Sequence, residues 1–236
     1  MTASPPAVGR PLGPPLPGWR PPAVPGGTVL AGRWVTLEPL AAAHADELWA
    51  ATAGDDALWT YLPYGPFASR DELAAHVATL AADADVVPYA IRPTDGAVAG
   101  LLGYLRIEPP HGTIEVGHVT LSRRLRRSAA ATEAQYLLAR QAFELGYRRY
   151  EWKANALNAA SLAAARRLGF TPEGVWRNHR VVKGRSRDTA WFAMTDDDWA
   201  LLRPAFEAWL DPAGFDADGR TAARLSVLTA AALAGR

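Results

Sequence analysis

Between Val119 and Leu138 the chain reads VTLSRRLRRSAAATEAQYLL, an extended apolar run joined to an amphipathic helix by a loop with four arginines. The arginines are Arg123, Arg124, Arg126 and Arg127. A helix start presents unpaired N–H groups and the positive end of the helix dipole, and small residues at 128 to 131 leave those groups open. The chemistry this suits is the binding of an anion such as a phosphate. The same residues also suit a solvated surface turn, and spacing alone leaves both readings standing.

The rest of the chain narrows what such a site can serve. The 236 residues are enough for one sizeable core, and 49% hydrophobic with 21% charged residues is ordinary for a globular protein. A net charge of +1 argues against nucleic acid as a partner, so any electrostatic work falls to local clusters such as the arginine loop. Cysteine is absent, which removes disulfides, thiolate metal sites and a cysteine nucleophile. The five histidines show no metal-ligand spacing, so no metal is expected. No apolar run is long enough to span a membrane and no secretion signature opens the chain, so a cytoplasmic protein is expected. The nucleotide-loop pattern GxxxxGK and the dinucleotide pattern GxGxxG are both missing.

The elements that must hold the arginine loop are legible from periodicity. Residues 1–28 are rich in proline and glycine and read as a disordered, extended arm, with Trp19 the residue best able to anchor it. GRWVTLEPL alternates as a strand, AAAHADELWAAT follows as a helix ending at Gly54, and Ser69 precedes Glu72 at capping-box spacing before a second helix. VVPYAIRP and AVAGLLGYLRIE read as a hairpin around Asp95–Gly96, and GTIEVGHVTL as a further strand. Helical spacing runs from Thr132 to Leu145, stopped by Gly146. RRYEWKA is a strand, NAASLAAARRLGF a helix, and GVWRNHRVV with RDTAWFAM a hairpin turning at Lys183–Gly184. At its tip Lys183, Arg185 and Arg187 read as solvated, with Asp188 pairing an arginine. A helical tail follows, broken around DPAGFDADG.

These residues resemble a known family. Arg126-Arg127-Ser128-Ala129-Ala130-Ala131 followed by Thr132-Glu133-Ala134, then Asn155, Asn158 and Ser161 in N-x-x-N-x-x-S, RLGF at Arg167 to Phe170 and the closing KGRSRDTAWF are similar to the GNAT superfamily of acyl-CoA-dependent N-acetyltransferases, in its Rim-type branch of ribosomal-protein N-terminal acetyltransferases. The resemblance implies an α/β (α+β) fold with a mixed, mostly antiparallel central sheet flanked by helices, and a splayed parallel strand pair forming the acyl-CoA cleft. It spans about Arg33 to Trp199 and divides the chain into an arm (1–28), an acetyltransferase domain (29–199) and a C-terminal helical extension (200–236).

The resemblance also implies roles. Acetyl-CoA is the cosubstrate, its pyrophosphate meeting Arg126, Arg127, Ser128, Ala129, Ala130, Ala131 and Thr132 and its pantetheine arm pairing with the strand edge Val119, Thr120 and Leu121. Where the family has a glycine this chain has Ala129, which fits if its φ is negative. Glu115 stands at the branch's acidic position and is the first candidate for general base, with His118 the second; the alternatives are an arginine-paired Glu115 and a core histidine. A strict strand turns the two to opposite faces, so both serve one cleft only across a β-bulge. Asn155 and Ser161 fit contacts to the thiol, and Asn158 is a helix N-cap that also touches the carrier; a plain first-turn serine remains open for Ser161. Trp59, Tyr61, Tyr64 and Phe67 form an apolar wall for the acceptor, core packing being the alternative. The acceptor is a small-molecule or peptide amine, a homodimer stays open, and a non-catalytic acyl-CoA-binding module is the alternative function.

Overall fold

The computed structural model describes residues 10–216 and 221–235. The first residues of the arm and part of the DPAGFDADG break lie outside the described residues. Eight strands form one open sheet in the order β1-β2-β3-β4-β5-β6-β8-β7. They are β1 Leu30–Ala31, β2 Val35–Pro39, β3 Val86–Pro93, β4 Gly100–Glu108, β5 Thr113–Leu121, β6 Arg149–Asn155, β7 Thr171–Val182 and β8 Arg185–Thr195. Every neighbouring pair is antiparallel except β5 and β6, which run parallel. The helices are α1 Ala45–Thr52, α2 Arg70–Ala81, α3 Ala129–Glu144, α4 Ala159–Arg167, α5 Asp196–Leu210 and α6 Leu225–Leu233. Among the described residues none is long and apolar enough to cross a membrane.

Strand alternation sorts the apolar side chains into two cores. On one face Leu102 and Tyr104 of β4, Ile114 and Val116 of β5 and Tyr150 of β6 pack with Ala134 and Leu138 of α3 and Phe206 of α5. On the other, Ala90 and Leu101 pack with Leu48, Leu73 and Val77 of α1 and α2. That second cover stops short of β6 and β8, so their face toward the α1–α2 side keeps polar residues.

Local chemistry sets the ends of α3. Ser128 caps it by accepting from the Ala131 N–H, which starts the helix at Ala129 rather than at Thr132 as periodicity alone suggests. Gly146, at φ +96°, ends it. The Ser69 cap forms as expected, although the Glu72 carboxylate returns to the N–H of Ala68 rather than of Ser69. The Asp95–Gly96 turn is wider than a two-residue hairpin: Val98 donates to Glu47, and Asp95 faces Arg124 at 2.6 Å, which draws the loop open. The turn at Lys183–Gly184 forms with both residues in the left-handed region, φ +50° and +71°.

The described parts of both flanking segments rest on the domain. Trp19 lies over the Arg148 guanidinium, 5.5 Å from ring centroid to its carbon, and Pro22 and Pro25 are buried, so the segment read as disordered follows the domain surface there. Helix α5 begins at Asp196 and contributes Trp199, Leu202 and Phe206 to the core, so a boundary at residue 199 falls inside a helix.

Glu133 ties α3 to β2. Its buried carboxylate accepts from the N–H groups of Arg33, Trp34 and Val35 at 2.9, 2.5 and 3.1 Å. Glu133→Ala strands these donors, and a cost of about 3 kcal/mol is expected, which lowers Tm by roughly 6–12 °C. Calorimetric melting checks this, and an unchanged Tm refutes the tie.

Candidate active site

The site begins where the parallel pair separates. β5 and β6 are paired from Thr113↔Arg149 to Val116↔Trp152. Beyond that β5 stays with β4 as far as Gly100↔Leu121, while β6 stays with β8 as far as Asn155↔Thr189. A gap therefore opens between Gly117–Leu121 and Lys153–Asn155. Ser122 donates to Ala99 on the β4 side, so alternation turns the backbone groups of Val119 and Leu121 toward the gap and those of Thr120 away from it. The Leu121 carbonyl is already taken by Arg126 Nε at 3.1 Å, which leaves Val119 as the free edge.

The expected bulge is present. Leu101 pairs with Thr120 and Gly103 with Gly117, so β5 carries one extra residue, and His118 adopts φ +54°. Glu115 and His118 accordingly share the sheet face toward α1 and α2. The Glu115 carboxylate lies 2.6 Å from Arg106 Nη1 and 2.8 Å from Lys153 Nζ, with side-chain exposures of 5% for Glu115 and 6% for Lys153. Lys153 also meets Glu151 at 2.8 Å and sits 3.8 Å above the Trp191 ring. This anion is held by two cations. His118 has no such partner: its Nδ1 lies 3.1 Å from the Tyr64 hydroxyl, the rings stack, and burial lowers its pKa below the usual 6.5.

Three of the four loop arginines are spent on structure. Arg126 and Arg123 reach the buried Asp55 at 2.7 and 3.6 Å, and Arg124 reaches Asp95. Arg127, exposed and at φ +63°, has no hydrogen bond or ion pair among the described residues. The left-handed residue is thus Arg127, while Ala129 opens α3 with ordinary helical geometry and its methyl causes no strain. The first-turn amides of Ala129 and Ala130 have no acceptor within the helix. Ser128 and Ala131 satisfy each other. The Thr132 hydroxyl is buried between the Ser128 carbonyl and Arg167, so it faces inward rather than toward a ligand. Arg167 was missed at the sequence level. Burial lowers its pKa, and among the described residues its two terminal nitrogens reach only that hydroxyl, at 3.3 Å, which adds a charge with no ion-pair partner there behind the helix start.

Across the gap, Asn158 caps α4 by accepting from the Ser161 N–H. Asn155 Oδ1 accepts from Leu157, which leaves its NH₂ free. Ser161 Oγ accepts from Trp152 Nε1 at 3.0 Å, so the hydroxyl proton is available for donation.

The aromatic segment divides. Trp59 is buried, with Phe67 edge-on at 5.0 Å, so these two serve packing first. Tyr64 reaches His118, and Tyr61 bridges to the Leu157 carbonyl at 3.1 Å. Three readings of the β7–β8 hairpin need correction, the first being Arg187, which is not simply solvated because its Nε is sealed from solvent. Lys183 is not simply solvated, because its Nζ donates to the Trp59 carbonyl at 2.8 Å and pins the hairpin to the aromatic loop. Among the described residues Asp188 pairs no arginine; it accepts from the Asn178 N–H at 2.7 Å, where β7 bulges.

The split sheet thus brings free helix-start amides at its mouth together with titratable groups within it. Residues 35–171 match the model of an acetyltransferase (GNAT) domain, and the chain belongs to this family of N-acetyltransferases. It is similar to a GCN5-related N-acetyltransferase from Brucella melitensis, 40% identical, covering 91% of this chain and 100% of that one with a TM-score of 0.89. It is also similar to a probable GNAT-family acetyltransferase from Chromobacterium violaceum, 45% identical over 84% of this chain and 100% of that one, TM-score 0.77. The Salmonella typhimurium acetyl transferase that modifies the N-terminal serine of ribosomal protein L7/L12 shares the fold at 22% identity, over 71% of this chain and 99% of that one, TM-score 0.62. Curated protein sequences give no significant match.

Proposed function

We propose that the protein moves an acetyl group from acetyl-CoA to a primary amine of a small molecule or a peptide N-terminus by direct attack. The gap beyond Val116 and Trp152 carries this reading, because it joins a free strand edge to free helix-start amides. The residues present fit the carrier: Arg127 and the amides of Ala129 and Ala130 suit its phosphates, and the Val119 backbone and Asn155 amide suit its pantetheine arm. Bound there, acetyl-CoA supplies an activated thioester carbonyl to the amine.

His118 Nε2 takes the proton the amine gives up. Burial keeps the imidazole neutral near pH 7, and this role needs the tautomer in which Nδ1–H faces the Tyr64 hydroxyl oxygen and Nε2 holds the lone pair. Glu115, pinned by Arg106 and Lys153, orders the floor of the cleft instead of moving protons. Ser161 donates a hydrogen bond to the departing sulfur, which leaves as a thiolate and takes its proton from solvent while the hydroxyl keeps its own.

Thiol release from acetyl-CoA over a panel of primary amines tests the reaction. Amine-dependent release with a matching acetylated product is expected. Calorimetric binding of CoA without release for any amine refutes catalysis.

A further inference from the structure

Strand β8 carries a row of donors that the fold leaves unused. Residues 187, 189 and 191 alternate onto the face shared with Lys153, which pairs with Trp191 across β6. Arg187 Nε, Thr189 Oγ1 and Trp191 Nε1 are each sealed from solvent without a hydrogen-bond partner, as is His179 Nδ1 on the neighbouring β7. An N–H of arginine or indole can only donate, and a buried unmet donor costs roughly 1–3 kcal/mol. Unmet donors in such numbers on one face are unusual in a folded protein.

The same face has more positive charge than its carboxylates balance. Glu115 and Glu151 are engaged by Arg106, Lys153 and Arg149. Neither Arg180 nor Arg187, paired across β7 and β8, has an ion pair among the described residues, the Glu115 carboxylate acting on Arg187 only from a longer distance. Burial lowers the pKa of His179, and the charges of Arg180, Arg187, Arg106 and Lys153 lower it further, so these cations converge. Lys183 holds the hairpin tip against the Trp59 carbonyl, placing the face beneath the aromatic loop. Trp176 lies 4.2 Å from the Trp191 ring and is 55% exposed, so it borders the row from the solvent side.

Two surface clefts offer less. One of about 310 Å³ lies beside Trp19, and one of about 630 Å³ lies beside Glu133, whose carboxylate is already satisfied by three amides.

We infer that the acceptor amine carries an oxyanion, a carboxylate or a phosphate, which docks on Arg187 and the Trp191 indole N–H at the β8 side of the cleft. The inference rests on the acetyl-transfer reading of the same cleft and narrows its substrate class. The anion takes up the unmet donors and balances Arg180 and Arg187, while the amine end extends toward His118 on β5. An acceptor without the anion leaves those donors unmet, and so binds less well.

The test compares amines matched except for the anion: phosphoethanolamine with ethanolamine, and β-alanine with propylamine. Acetyl transfer is measured as kcat/KM, and binding by calorimetry in saturating CoA. At least one anionic amine is expected to exceed its neutral match by about 10- to 100-fold, the pair showing which anion is read. Arg187→Met, which keeps the apolar stem, collapses the ratio, and Trp191→Phe, which keeps the ring and removes the N–H, lowers it several-fold. Turnover of neutral and anionic amines at equal efficiency overturns the inference and leaves acetyl transfer intact, and a ratio that survives Arg187→Met overturns it too. If no amine is acetylated, anion binding lost in Arg187→Met upholds the docking site without the reaction. Absence of both turnover and binding refutes the site.

Discussion

Arg127→Glu raises the KM for acetyl-CoA by at least 10- to 100-fold and changes the KM for the amine little. Arg127 alone of the four loop arginines lacks a partner among the described residues, since Asp55 and Asp95 hold the others. A charge-assisted hydrogen bond to phosphate is worth about 1.5–3 kcal/mol, which sets the scale for deletion, and reversal adds repulsion. Arg127 also occupies a left-handed backbone position, so Arg127→Gly serves as a control that removes the charge and relaxes the backbone. Its KM for acetyl-CoA rises as well, by less than the glutamate variant's. Because Arg127 is exposed, the wild-type KM climbs with salt, and the climb is shallower in Arg127→Gly. Arg124→Gln is the contrast: it removes an equal charge from a structural pair and leaves the KM near wild type. Steady-state kinetics against both substrates decides, and equal effects on the two KM values discard the phosphate contact.

What the sequence made legible follows from the range of the interaction. Helix α3 and hairpin β7–β8 rest on periodicity and turn residues within a few positions, and both form, α3 gaining three residues at its Ser128 cap and the two strands running a few residues further than their patterns. Which arginine is free depends on Asp55, 71 residues from Arg126 along the chain, and no local pattern reports such a pairing. Glu115 looks like a base by position, yet Arg106 and Lys153 approach it from two other strands. The bulge could be framed only as a condition for Glu115 and His118 to share a face, because a left-handed histidine leaves no mark in composition. The donors at 187, 189 and 191 did leave one, a strand alternation of polar and aromatic residues. What identified them was the absence of partners, which only coordinates show.

His118→Asn lowers kcat by about 10²–10³-fold with the KM for acetyl-CoA kept within a few-fold, the span expected for loss of a general base. Asparagine is the apt replacement because it tolerates the left-handed backbone at this position, so the bulge survives and the loss is chemical. The pH dependence carries the sign. Burial disfavours the imidazolium and lowers the His118 pKa, so the base is fully available above the usual 6.5 and is lost as pH falls through the lowered value. Wild-type kcat/KM therefore rises with pH along an acid limb whose midpoint lies below 6.5, and His118→Asn flattens that limb. Tyr64→Phe deletes the oxygen that faces Nδ1 while keeping the stacked ring; kcat drops by less, and the limb moves without vanishing. Glu115→Gln separates the two candidates. Its carboxylate is bound by two cations, so its loss costs stability and about tenfold in kcat while the acid limb stays in place. If Glu115→Gln abolishes the limb and His118→Asn spares it, the proton goes to the carboxylate and the assignment of His118 fails.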